Sequence, residues 1–278
     1  MRYLCTTMRS KEGEVMLTIF KHEIKLLYKS FLIWTLSVGG MCFVCILLFN
    51  SMKDTMAGMA ESFSQMGAFA DAFGMSQLSI ATLAGFYSTE VGTIHSLGGA
   101  MFAAIISTVM LSKEEDGHTS EFLFTLPVAR GKVITSKLMA VITNVVLFNV
   151  ITVGAYALGI VILGEDIDFD RFLLYHGMQL LMHLEIAGIS FGLSAFMKKN
   201  KLGLGLGLVM IFYAYDLMAR VIPDLSDYKL ISPFSYANAA DIFSKGEVEA
   251  PALVIGMVVM VVSVIVAYVR YGKRDLAA

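Results

Sequence analysis

The chain has 278 residues, of which 57% are hydrophobic and only 16% charged, and its mean hydropathy is +0.72. A soluble domain carries about 25% charged residues, so this composition excludes an ordinary water-soluble globule and makes lipid part of the solvent. The formal net charge of -2 leaves no electrostatic footprint for nucleic acid.

Residues 1–14 show no amphipathic pattern. From Val15 to Tyr28, apolar Met16, Ile19, Phe20, Ile24, Leu27 and Tyr28 recur at helical spacing, with Lys21, Glu23, Lys25 and Lys29 at polar positions. This suits an amphipathic helix on the membrane surface; the alternative is an extension of the first span. Crossing the hydrocarbon core takes roughly 20 apolar residues in a helix. Six segments qualify, at 31–50, 91–111, 138–163, 173–197, 202–222 and 251–270. The fourth is the least apolar, because it carries His176, His183 and Glu185. The first begins near Phe31 without a small-residue cleavage pattern, so it is expected to stay as an anchor. Cys5, Cys42 and Cys45 form no disulfide framework and read as small apolar fillers.

Between the first two spans, Met52, Met56, Met59, Phe63, Met66, Ala70 and Phe73 alternate in steps of four and three and predict one apolar helical stripe. Thioethers can bind Cu(I), but no His or Cys accompanies these methionines, and packing is the reading adopted. No metal site is expected. Gly188 and Gly192, and then Gly203, Gly205 and Gly207, supply the small residues that let helices approach closely in lipid. Glu185 shares a helical face with Gly188 and Gly192, which points it into the bundle or a dimer seam. It is a polar lock or, with His183 or His95, an ion relay. Asp216 and Arg220, four apart, are expected to pair as a partly solvated ion pair.

With the N-terminus inside, 16 of the 21 Lys and Arg fall on the cytosolic side, the side on which basic loops are retained. Both termini and loops 112–136 and 197–202 are then cytosolic, with 51–90 and 223–250 outside. There is no His-Glu-x-x-His pair, no Gly-x-Ser-x-Gly elbow and no Gly-x-x-x-x-Gly-Lys-Ser/Thr phosphate loop. No catalytic or cofactor-binding residue is assigned.

The polar stretch between spans two and three carries the most information. Glu114-Glu115-Asp116-Gly117-His118-Thr119-Ser120-Glu121-Phe122-Leu123-Phe124-Thr125-Leu126-Pro127-Val128-Ala129-Arg130, followed by Lys137, resembles the loop of bacterial type-2 ABC-transporter permeases, with His118 inserted between its Gly and Thr. Leu230-Ile231-Ser232-Pro233-Phe234-Ser235-Tyr236 resembles the family's segment before the last span, and Tyr271 to Leu276 its Tyr-x-x-Arg-Asp ending. Locally, Ser112 and Glu115 have the spacing of a capping box, Gly117 permits a turn, and Pro127 suits the start of the next helix.

The resemblance implies an all-α integral membrane protein with six transmembrane helices, an N-terminal interfacial helix and a cytosolic coupling helix between spans two and three. Residues 1–30 would form the cytosolic N-terminal segment, 31–271 the permease domain and 272–278 a short tail. The coupling set would be Glu115, Glu121, Phe122, Leu123, Leu126, Pro127 and Arg130, docking on a separate ABC ATPase present in two copies. That partner would bind ATP and Mg, while this chain, in the bacterial cytoplasmic membrane, would pair with a second copy or a related permease. Two alternatives remain: an ion-coupled secondary transporter using Glu185, and a non-transport anchor or sensory subunit.

Overall fold

The computed structural model describes residues 2–119 and 128–274, with side chains of the first helix described from residue 13 onward. Among these residues every regular element is helical. Helix α1 (Arg2–Trp34) passes through a π-helical turn (Thr35–Gly39) directly into α2 (Gly40–Ser64). The N-terminal amphipathic segment and the first span are thus one continuous rod. From Gly13 to Ser64 it contains 52 residues, about 78 Å at 1.5 Å per residue. A hydrocarbon core about 30 Å thick covers less than half of that, so the rod extends well beyond any bilayer it crosses.

The methionine stripe does not continue along one helix. Helix α2 stops at Ser64, Gly67 takes the left-handed φ of 55°, and α3 (Ala68–Ala72) turns back. A glycine adopts that conformation without steric cost, and it cuts the predicted face after Phe63. Met52, Met56, Met59 and Phe63 instead line a cavity of about 500 Å³ with Phe69 and Met75 of the returning chain.

Helix α4 (Leu83–Phe86) starts at Thr82, whose hydroxyl accepts from the Gly85 N–H at 3.1 Å. A second π turn (Tyr87–Val91) leads into α5 (Gly92–Thr108), followed by the single turn of α6 (Lys113–Asp116). Helix α7 (Arg130–Leu163) ends on Gly164 at φ 74°, and α8 (Phe169–Ser194) begins on Asp168, whose Oδ1 accepts from the Asp170 and Arg171 N–H groups at 3.1 Å. Then come α9 (Leu202–Val221), α10 (Pro223–Ser226), α11 (Ala239–Lys245) and α12 (Ala250–Lys273).

Among the described residues, five helical runs are long and apolar enough to cross a membrane: Gly13–Ser64, Leu83–Thr108, Arg130–Leu163, Leu202–Val221 and Ala250–Lys273. The expected fourth span, α8, is 26 residues long but is not among them. It packs along both α5 and α12 and also contacts α7. Its His176, Gln179, His183 and Glu185 are all buried in protein. A helix surrounded by other helices needs little lipid-facing apolar surface, because protein groups satisfy its polar ones.

Small residues set the α8–α12 contact. A Cβ on Gly188 would lie 2.7 Å from Met260 Cγ, one on Gly192 would lie 2.8 Å from the Ser263 carbonyl oxygen, and the Glu185 carboxyl rests against Gly256. The face shared by Glu185, Gly188 and Gly192 therefore belongs to a seam inside the chain. In α9 only the middle glycine is used this way: Gly205 abuts Thr108 and Ala104, while Gly203 and Gly207 face open space.

Residues 232–238 run irregularly into the bundle, where Ser232, Phe234, Tyr236 and Ala237 are buried. Irregular backbone is tolerated at such depth when protein surrounds it, and here side chains supply the bonds. Ser232 Oγ donates to the Phe212 carbonyl at 3.1 Å, and Gln179 Nε2 donates to the Ala237 carbonyl at 2.8 Å.

Candidate functional site

The segment preceding the expected coupling helix is held by charge. Lys137, on the second turn of α7, is fully buried, and its ammonium donates to Glu23 Oε1 at 2.8 Å, to the Met110 carbonyl at 3.1 Å and to Glu114. Glu23, on the buried side of α1, also accepts from Lys113. Burial and the neighbouring Lys137 charge push the Lys113 ammonium below the usual lysine range, against the opposing pull of Glu23 and Glu114. One carboxylate on α1 thus ties together α6 and α7.

A second tie comes from the far end of the chain. Arg274 donates through Nη2 to Glu115 Oε2 at 2.8 Å and through Nη1 to the Ala195 and Met197 carbonyls at 3.1 and 2.9 Å. Arg130 Nη1 donates back to the Arg274 carbonyl at 2.6 Å. Among the described residues three carboxylates (Glu23, Glu114 and Glu115) are each ion-paired, to Lys113, Lys137 or Arg274. Such a cluster is tolerated in a low dielectric because each charge is paired and hydrogen-bonded. It makes residues 113–116 a platform fixed to α1, α7 and the tail.

One local expectation changes. The capping box is not formed: Ser112 makes no cap bond, its hydroxyl donates to Asn200 Oδ1 at 3.2 Å, and Glu115 is taken by Arg274. A charge-assisted pair with a guanidinium is stronger than a back-bond to a neutral N–H. Gly117 lies in a turn, at φ -88°, and the left-handed position of that turn is taken by the inserted His118, at φ 53°. Histidine is one of the few side chains enriched in that region.

Of the expected coupling residues, the structure places Glu115 and Arg130 in this network, while Glu121, Phe122, Leu123, Leu126 and Pro127 lie outside the described residues. The intramembrane groups fall elsewhere. Glu185 is 3% exposed and its Oε2 accepts from the Tyr236 hydroxyl at 2.8 Å. Burial, and then the Glu185 charge, push the Tyr236 hydroxyl above the usual tyrosine range, so it remains a donor. Glu185 does not join the histidines. His183 instead bonds Asn149 Oδ1 at 3.0 Å and the Ser96 carbonyl at 3.2 Å, and it lies beside His95 with ring centroids 5.3 Å apart. His176 meets the Tyr87 hydroxyl at 2.7 Å. Among the described residues no three His, Cys, Asp or Glu side chains are placed to hold a metal ion.

Asp216 and Arg220 pair as expected, through Arg220 Nε at 2.9 Å and Nη2. Solvent reaches the pair through Arg220, whose side chain is 22% exposed, while Asp216, at 4%, is turned toward the bundle and residues 232–238.

Sequence reading missed Glu23, Lys113 and Arg274 as network members. Glu23 had a signal, since it stands on the Ile19–Leu27 side of an amphipathic helix whose other charges face outward. Arg274 had one as well, in the Tyr-x-x-Arg-Asp ending.

A family model described as ABC-2 family transporter protein matches residues 17–276. No curated protein matches the chain.

Proposed function

The chain belongs to the ABC-2 transporter family, and from that premise we propose that it is the membrane-spanning permease subunit of an ABC exporter. It carries no phosphate loop, so ATP and Mg are bound by a separate ATPase present in two copies. The permease works in the bacterial cytoplasmic membrane as a dimer, with itself or with a related chain. Six helices span the bilayer, with α8 as the fourth: its 26 residues are long enough, and it runs between α5 and α12. Both termini and the loop at 112–136 are cytosolic, which the clustering of Lys and Arg supports.

In this reading residues 121–126 form the coupling helix, Phe122, Leu123 and Leu126 supply its buried contact, and Glu121 orients it by charge. The observation that carries the reading is the platform at its base. Residues 113–116 are bound to α1 and α7 through Glu23 and Lys137, and to the tail through Arg274. A push on the loop would therefore reach several helices at once. A few desolvated side chains usually dominate an interface. Phe122→Ala or Leu126→Ala should then abolish stimulation of the partner ATPase while leaving the chain inserted, and a cysteine at 122 should crosslink to that ATPase. Wild-type stimulation in both variants, with no crosslink, refutes the assignment.

A further inference from the structure

The end of the bundle opposite the Lys137 network holds a polar recess in two parts. The inner part, about 50 Å³, is walled by Gln179 of α8 and by Asp216 and Arg220 of α9. The outer part, about 280 Å³, shares Asp216 and Arg220 and is bordered by Asp71, Lys229, Asp241 and Glu249.

One buried acceptor on the wall of this space has no donor, and one carboxylate oxygen beside it lies outside its ion pair. Gln179 is fully buried; its Nε2 is used by the Ala237 carbonyl, while its Oε1 has no partner among the described residues. Buried acceptors in native proteins are nearly always satisfied, because leaving one bare is costly. At Asp216 both Arg220 nitrogens converge on Oδ2, so Oδ1 lies outside the pair. The charge around them has one sign in excess: of the four carboxylates Asp71, Asp216, Asp241 and Glu249, three are met by Arg220, Lys245 and Lys229 and Asp71 is left over. A carboxylate or phosphate ligand would meet acceptors and net negative charge. A cationic donor would meet the open acceptors and the carboxylates in excess, the two basic groups being already engaged by Asp216 and Glu249.

We propose that this recess binds a small linear organic ammonium, its N–H groups seated on Gln179 Oε1 and Asp216 Oδ1. Size fixes the shape: a cavity of about 10–15 Å³ admits one water-sized group, so the inner part accepts an ammonium and excludes a ring. The outer part is near the lower end of small-molecule pockets, about 300 Å³, and accepts a chain of a few carbons. This assignment needs only the recess and stands whether or not the chain exports.

The test is calorimetric titration of the full chain in lipid nanodiscs with 1,4-diaminobutane, and with 1,4-butanediol and butanedioate as neutral and anionic matches. The diamine should bind and both matches should be at least about tenfold weaker. Gln179→Met keeps the volume, removes the acceptor and should weaken the diamine by about tenfold. Because that change also removes the bond to the Ala237 carbonyl, Asp241→Asn on the partly exposed rim serves as a variant without a buried change. It should weaken the diamine about threefold at low salt, with the loss shrinking as salt screens the rim. No heat with the diamine would mean that water satisfies Gln179. That result, equal binding of the diol, or wild-type affinity in Asp241→Asn at low salt overturns the proposal.

Discussion

The two ends of this bundle are closed by different means. At the loop end the closure is ionic and dry: Lys137 is fully buried, Glu23 is 2% exposed, and Arg274 is 5% exposed against Glu115. At the other end the ion pairs are wetter, with Lys53 and Glu165 exposed by 42% and 30% and Lys229 and Glu249 by 40% and 35%. There the interior is sealed mainly by neutral donors, Tyr236 on Glu185 and Gln179 on the Ala237 carbonyl, beside one pair, Arg220 on Asp216, that solvent reaches through a 22% exposed guanidinium. Losing one partner of a buried pair strands a charge, whereas exposed pairs contribute little. The loop end is thus built to move as a unit or not at all, and the other end can yield one contact at a time.

The largest effect should come from Lys137→Met, which leaves Glu23 and Glu114 without their shared cation. The expected loss is about 3–5 kcal/mol, read as a collapse of unfolding temperature in detergent. Combining it with Glu23→Gln should recover part of the loss, because the pair is coupled; strict additivity would show that the network is not one unit. An intermediate effect belongs to Tyr236→Phe, which strips the donor from a buried carboxylate and should cost about 1–3 kcal/mol. Glu185→Gln keeps an acceptor for Tyr236, so near-normal assembly and transport are expected. Lost transport with normal assembly would instead make Glu185 an ion site. Smallest of all, Lys53→Ala should change stability by less than about 1 kcal/mol, and a larger shift would erase the contrast between the two ends. The sidedness itself is checked by impermeant thiol labelling in a cysteine-free background: Ser64→Cys should react in intact cells and Ser120→Cys should not.

What the sequence disclosed follows from the range of each interaction. Helical runs were legible because apolar stretches are local: the expected runs at 138–163 and 251–270 fall within α7 and α12. The Asp216–Arg220 pair was legible for the same reason, being one turn apart. The Glu185 partner was not, since Tyr236 is 51 residues away and reaches it only because irregular chain folds into the bundle. The platform was half legible. Its motif was visible, yet the competition that takes Glu115 from Ser112 depends on Arg274, 159 residues distant. Helix α8 is the least apolar of the expected spans because neighbouring helices, and not lipid, surround its His176, Gln179, His183 and Glu185.

The π turn at Thr35–Gly39 bears on the loop end from a distance. Thirty residues separate buried Ile19 from buried Phe49, and at about 100° per residue a plain α-helix would overshoot eight full turns by about 120°. A widened turn absorbs one residue without angular advance and returns about 100° of that, so both ends of the rod show the same side to the bundle to within about 20°. Glu23 faces Lys137 because of a phase correction made a dozen residues farther along the rod. Any event that rewound the turn to regular α-helix would swing the carboxylate about a quarter revolution off its lysines, or drag the outer half of the rod around instead.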